Sequence, residues 1–283
     1  MKTAPFELRV AGSLDEALAQ LAALGSDARI LAGGQTLMPL LRYRMARPQV
    51  LLDINRIAPL RRLEMADGLE IGALVRHSEL ERLPAGGPPL AQLLRRHARE
   101  IAFWPVRTRG TAVGSVVYAD PKGDWPLLFC AVDAQVRIRG ARGERSMAVR
   151  DFIRAPLEVD LAADELVLGL SVSEARAGLL RWGRSKLVHR AGEYAMCAAL
   201  ALQYGSGWEC WLGATSERPA PLPALSALLD SAAGMPPARM RLLEAAEADI
   251  LAAQMEMDAT QRYRHAGNAA DAAIDAFKEK HHG

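Results

Sequence analysis

Apolar and polar positions change period along this chain, and each change marks an element. "FELRVA" (Phe6–Ala11) is apolar at every second position and predicts a short strand. "SLDEALAQLAAL" follows with helical spacing, and Ser13 and Glu16 are placed as a capping box. "ARILA" and, after Pro48, "VLLDI" are short apolar runs that read as buried strands. Between them "TLMPLLRYRMA" reads as a helix opened by Thr36. Strand–helix–strand–helix–strand at this spacing implies a small parallel sheet with right-handed crossovers.

From about Ala58 the texture changes. "GLEIGALV" predicts a strand, "HSELERL" a helix, and "PLAQLLRRHAREIA" an amphipathic helix with a basic face. A glycine-bearing loop, "RTRGTAVGSVVYADPKGDWP", leads to a helix through "LLFCAVDA" and strands at "AQVRIRG" and "DELVLGLSV". A third segment starts near Gly178, with strands at "LLRWGRSKL", "YAMCAALALQY" and "WECWLGA". Helices at "PALSALL", "ARMRLLEAAEADIL" and "AADAAIDAFKEK" follow. The expected division is 1–57, 58–177 and 178–283. No repeat or low-complexity linker separates the parts.

Composition removes several function classes. Of 283 residues, 50% are hydrophobic and 24% charged, the balance of a soluble globular chain. With 35 Lys+Arg against 33 Asp+Glu the net charge is +2, too near neutral to point to nucleic acid. The start, "MKTAPFELRV", has no apolar signal core, so a cytoplasmic protein is expected. The longest apolar stretch, Ala195–Leu202, is too short to span a bilayer. Cys130, Cys197 and Cys210 lie apart in apolar surroundings and read as buried thiols. Three scattered cysteines cannot supply the four ligands of an iron–sulfur cluster.

Candidate chemistry concentrates in two stretches. In "AGGQT" (Ala32–Thr36) a buried strand stops and a helix begins at once, a geometry in which backbone N–H groups converge on an anion. Gly33 and Gly34 allow close approach, and Thr36 is placed to cap the helix. A plain strand-to-helix connection would look the same. "RGTAVGS" (Arg109–Ser115) is again small and hydroxyl-bearing, and "ADPKGDWP" follows it. Two such stretches are suited to gripping the two phosphates of a dinucleotide from opposite sides. Asp120 and Asp124 are placed to accept from sugar hydroxyls, although Asp124 also reads as the N-cap of a helix starting at Trp125. No His or further carboxylate joins that pair, so no metal is expected. The G-x-G-x-x-G, P-loop and G-x-S-x-G signatures are missing. Of six histidines, His281–His282 read as a frayed tail and the rest as surface or lightly buried.

Taken together, "LAGGQTLMPLLRYRMARPQVLLDINRI" and "RTRGTAVGSVVYADPKGDWP" resemble the FAD-binding medium subunit of molybdenum hydroxylases. That family includes carbon monoxide dehydrogenase medium chains and the FAD part of xanthine dehydrogenases. "WGRSKLVHRAGEYAM" is similar to the family's F-x-K-x-x-x-R-x-G-D-Y-A pattern, "LGATSERP" to G-G-V-A-x-R-P, and "QRYRHAG" to Y-R-x-x-L. These five stretches fall in order over nearly the whole chain. The resemblance implies an α+β protein: an FAD-binding fold of the PCMH type, with a small parallel βαβ subdomain and a mixed α+β subdomain. A C-terminal domain of antiparallel strands and helices would follow.

It also implies roles. Ala32, Gly33, Gly34, Gln35 and Thr36 would form the first FAD diphosphate loop, and Thr111, Gly114 and Ser115 the second. Asp124 would face FAD hydroxyls, Lys186 would stand near the flavin, and Tyr194 beside the isoalloxazine. Val113 replaces the first glycine of the family's T-I-G-G-S and is expected to be extended, still presenting its N–H. Glu193 replaces the Asp of G-D-Y-A.

The implied activity is electron transfer as one subunit of an oxidoreductase. A large subunit would carry the molybdenum cofactor and a small subunit the [2Fe–2S] clusters, in a dimer of heterotrimers. A free-standing FAD oxidoreductase and a structural subunit that has lost flavin are the alternatives. The basic stretches Arg42–Arg47 and Arg95–Arg99 read as solvated helix faces or partner-docking faces.

Overall fold

The structure is a computed structural model and describes residues 2–232 and 234–278; the His281–His282 pair lies outside them. The first part holds strand β1 (Glu7–Val10), helix α1 (Leu14–Leu24), strand β2 (Ala28–Leu31), helix α2 (Leu37–Arg42) and strand β3 (Val50–Asp53). The sheet order is β1–β3–β2 and all pairs are parallel, as the alternation of elements predicts. Ala17 and Leu21, one turn apart on α1, are buried. The capping box at its head is half formed: Ser13 Oγ accepts from the Glu16 N–H at 3.2 Å. The Glu16 carboxylate instead accepts from the N–H of Gly12, one residue before the cap. Thr36 makes no side-chain cap. The first turn already begins at Gly34, whose carbonyl accepts from the Met38 N–H at 2.9 Å, so Thr36 lies inside that turn.

The second part begins with strands β4 (Leu63–Glu64) and β5 (Leu69–Gly72). Five helices follow: α3 (His77–Glu81), α4 (Pro89–Arg99), α5 (Trp104–Arg107), α6 (Ala112–Tyr118) and α7 (Asp124–Ala131). Then come β6 (Gln135–Gly140), β7 (Gly143–Ala148), α8 (Val149–Phe152), the short pair β8 (Ile153–Ala155) and β9 (Glu158–Val159), β10 (Leu166–Val172) and α9 (Glu174–Ala177). The main sheet runs β4–β5–β10–β6–β7 and is antiparallel throughout.

Two expectations are corrected here. The stretch after Thr111 is a helix, not a loop: Thr111 Oγ1 accepts from the Gly114 N–H at 3.0 Å and caps α6. Val113 is therefore helical rather than extended, buried, and not at positive φ. Second, α7 starts at Asp124 with Gly123 at its cap position, so the Asp124 carboxylate is released from capping.

The last part is an antiparallel sheet, β11 (Arg181–Val188), β12 (Ala195–Tyr204), β13 (Gly207–Gly213) and β14 (Ala220–Pro221), with helices α10 (Pro223–Asp230), α11 (Arg239–Ala252) and α12 (Ala259–Asp275). Strand β12 is buried on both faces. Ala198, Leu200 and Leu202 enter the core shared with the first two parts, while Ala199 and Ala201 enter a second core under α10–α12. That double burial explains its nearly unbroken apolar sequence. Helix α12 starts well before the alanine-rich run, at a complete capping box between Asp258 and Gln261.

Candidate functional site

A cavity of about 650 Å³ opens where the first two parts meet the turn before β12. The strand-to-helix turn after β2 brings Ala32, Gly33, Gly34, Gln35 and Thr36 to its wall. The head of α6 brings Thr111, Gly114 and Ser115, the head of α7 brings Asp124, and the β11–β12 turn brings Tyr194. Ten of the eleven residues to which the resemblance gives a role toward FAD thus line one cavity; Asp120, outside that set, does not. Lys186 is the exception among the eleven: it is buried behind Asp124 and does not reach the wall.

The two small-residue turns are not opposed across the cavity; they touch. A Cβ on Gly33 would stand 2.6 Å from the Arg109 carbonyl oxygen and 2.9 Å from Gly110 Cα, both backbone atoms. Gly34 has φ +70°, a conformation that disfavours side chains. The contact is pinned from outside the cavity. The Asn55 amide donates to the Ala32 carbonyl at 2.9 Å, and the Arg76 guanidinium donates both to Asn55 Oδ1 and to the Arg109 carbonyl. The N–H groups of Gly33, Gly34, Gln35, Thr36 and Val113 donate to no protein acceptor among the described residues. Unpaired backbone donors gathered on a cavity wall suit an anion.

Beneath the wall lies a compact ionic cluster. The Asp124 carboxylate accepts from Lys186 Nζ at 2.8 Å through one oxygen and from Arg184 at 3.0 Å through the other. Arg184 also pairs with Glu100, and Lys186 donates to the Glu100 carbonyl at 3.1 Å. Burial raises the Asp124 carboxyl above its ordinary value, and the Lys186 ammonium pulls it back. Burial lowers Arg184 to about 9, which still leaves it cationic at neutral pH. Both buried charges on β11, Arg184 and Lys186, are thus matched, so the cluster orients Asp124 at the cavity instead of sending a free cation into it.

Sequence reading missed several lining groups. Ile30, Leu40, Ile54, Leu166 and Val167 form apolar walls, legible in the sequence only as buried positions. His77 and Trp125 also line the cavity. The Trp125 indole N–H donates to His77 Nδ1 at 3.0 Å, and Trp125 packs against His77, His97 and Phe129. His97 Nε2 donates to the Asp124 carbonyl at 2.8 Å. His77, His97 and His265 are all buried, deeper than the surface or lightly buried positions expected of them. All three cysteines are buried free thiols, as expected. Among the described residues no helix is long and apolar enough to cross a membrane.

A cavity with open backbone donors at one place, apolar walls and an oriented carboxylate fits a molecule that joins a diphosphate to a flat, largely apolar ring. The chain belongs to the family of FAD-binding domains in molybdopterin dehydrogenases, whose model matches residues 4–173, and its cofactor is FAD. It stands among the flavin-holding medium chains of oxidoreductases. It is 34% identical over 203 residues to the carbon monoxide dehydrogenase medium chain of Hydrogenophaga pseudoflava, covering 71% of this chain and 70% of that one. It is 33% identical over 171 residues to the nicotine 6-hydroxylase medium subunit of Paenarthrobacter nicotinovorans, covering 60% of this chain and 59% of that subunit. Among solved structures, quinoline 2-oxidoreductase from Pseudomonas putida 86 superposes with a TM-score of 0.87 at 27% identity, covering 98% of both chains.

Proposed function

We propose that this chain is the FAD-holding electron-transfer subunit of a multi-subunit molybdenum hydroxylase. The observation that carries the reading is the contact of two turns at Gly33 and Arg109, with five unpaired N–H groups on one cavity wall. In this reading Ala32–Thr36 and the head of α6 (Thr111, Gly114, Ser115) hold the diphosphate. Asp124 accepts from cofactor hydroxyls, and Tyr194 covers the flavin end from the β11–β12 turn. Lys186 acts through Asp124 as a positioning residue. We further take 1–57, 58–177 and 178–283 as the units of the chain, the first two embracing the cofactor and the third supplying its cover.

When bound, FAD supplies the redox centre between the [2Fe–2S] clusters of a partner subunit and a terminal acceptor. The chain's own residues bind and orient it. Backbone donors fix the diphosphate without a mobile cation, the Asp124 cluster fixes the hydroxyl-bearing linker, and apolar walls exclude water from the ring. Three free thiols leave the clusters to a small partner subunit, and the molybdenum cofactor to a large one, in a dimer of heterotrimers in the cytoplasm. The test is co-purification with tagged partner subunits, followed by the visible spectrum and identification of the flavin released on denaturation. Stoichiometric FAD on this chain is expected. A colourless chain that takes up no FAD with its partners present overturns the reading.

A further inference from the structure

We propose that His77 is a further cofactor-binding residue, its Nε2–H donating a hydrogen bond to a diphosphate oxygen of FAD where the two turns meet. The inference rests on the FAD reading above. An indole nitrogen can only donate, so its 3.0 Å hydrogen bond to His77 Nδ1 makes Nδ1 the bare, accepting nitrogen. The ring proton of neutral His77 is then on Nε2. The ring is neutral at ordinary pH: burial, with Arg76 and Arg107 nearby, lowers its pKa to about 3.

Nε2–H therefore needs an acceptor, and it has none among the described residues. His77 is only 5% exposed, yet its Nε2 keeps access to the cavity that the residue lines, so a ligand atom there can accept its hydrogen bond in place of water. Its position names the missing acceptor. Nε2 lies 2.6 Å from where a Cβ on Gly110 would stand, and Gly110 is the residue that abuts Gly33. The donor thus sits on the cavity wall at the seam of the two turns, beside the open backbone N–H groups. A donor set of this kind matches an oxyanion. The ring is held in place: the His77 backbone N–H donates to the Gly110 carbonyl at 3.0 Å, and Trp125 stacks on the imidazole.

Two variants separate this role from a structural one. His77→Asn keeps an oxygen near Nδ1 as acceptor for Trp125 but places no donor at Nε2. His77→Gln places an amide N–H near Nε2 but leaves Trp125 without its acceptor. Binding of FAD, ADP and riboflavin to the flavin-free full chain is titrated, alongside thermal melts. His77→Asn should melt as the parent does and bind FAD and ADP about tenfold or more weakly, the loss of a hydrogen bond to a charged group. His77→Gln should melt lower yet bind FAD within about threefold of the parent, because the donor is restored. Riboflavin, which has no phosphate, should bind all three alike. The reverse order of affinities, equal FAD affinity in all three, or a loss seen with riboflavin but not ADP overturns the proposal. A parent chain that binds no FAD even with its partner subunits present overturns the function reading and this inference with it, whereas normal parent binding with the wrong variant order overturns the inference alone.

Discussion

Gly33→Ala tests the geometry of the site most directly. The added methyl would meet the Arg109 carbonyl oxygen at 2.6 Å, Gly110 Cα at 2.9 Å and the Arg109 carbonyl carbon at 3.2 Å. All three are backbone atoms, so no side chain can swing aside. Ordinary contact begins at 3.4 Å, and the two turns must part by about 0.8 Å to reach it. A hydrogen bond of about 2.9 Å stretched by that amount is no longer a hydrogen bond. One turn can then serve the diphosphate but not both. The loss corresponds to at least one charge-assisted bond, about 1.5–3 kcal/mol, or roughly ten- to hundredfold in FAD affinity. Fluorescence titration of the flavin-free chain with FAD measures that change, and circular dichroism melts report the cost to the fold. Gly86→Ala is the control, since nothing lies within 4 Å of its added methyl and its φ is not positive. A Gly33→Ala chain that melts and binds FAD as the parent does would refute the reasoning, because the turns would then be free to separate without consequence.

Other outcomes follow from the same structure. Arg76→Ala removes the guanidinium that ties Asn55 to the Arg109 carbonyl; FAD affinity should fall about tenfold, and added guanidinium should restore part of it in the same titration. Lys186→Met leaves Asp124 with one cation fewer and should cost about 3 kcal/mol of stability near neutral pH. Burial already raises this carboxyl above 3.8 and Lys186 opposes that rise, so in the variant the folded chain holds the proton to higher pH than the unfolded chain. Its stability deficit should therefore grow as pH rises from about 4 to 7.5, measured by urea unfolding at both ends; a deficit that shrinks over that range would contradict the assignment. Burial pushes the three thiols up to about 12, 11 and 12 for Cys130, Cys197 and Cys210, so a thiol reagent at pH 8 should label none in the folded chain and all three in denaturant. Val113→Gly, which restores the family's glycine, should lower stability by about 2–3 kcal/mol through lost burial and helix propensity without tightening FAD binding, as paired melts and titrations would show.

The elements and most of the cavity wall were legible because they depend on local patterns. Period-two and helical spacing located β1, α1 and α11, an unbroken apolar run located β12, and two small-residue runs marked both turns. What escaped depends on long-range contact. Nothing around Asn55 or Arg76 in the sequence says that their side chains join two turns more than fifty residues apart. His77 and His97 read as surface or lightly buried because a histidine is polar by type; Trp125, distant from both in sequence, packs against their rings. Lys186 matched its motif, yet the structure spends its charge on Asp124. Val113 was misread because a glycine-bearing, hydroxyl-bearing stretch was taken as a loop, when Thr111 caps a helix there.

The contrast between Val113 and Gly33 shows how the anion site works. Arg29 is the one Lys or Arg among the described lining residues, and its guanidinium donates to the carbonyls of Ser26 and Ala28. Arg76 is committed to Asn55 and Arg109, and Arg184 and Lys186 to Glu100 and Asp124. On the proposed reading, recognition of the FAD diphosphate therefore falls to main-chain N–H groups. Any residue except proline supplies that group, provided its backbone adopts the needed shape. At Val113 the needed shape is helical, which valine adopts, so a β-branched residue replaces glycine there without exposing or straining the site. At Gly33 the requirement is space against another backbone, and no side chain provides it. Tolerance at one turn and intolerance at the other thus have one cause: the site selects for backbone position, and side chains matter only where they move it.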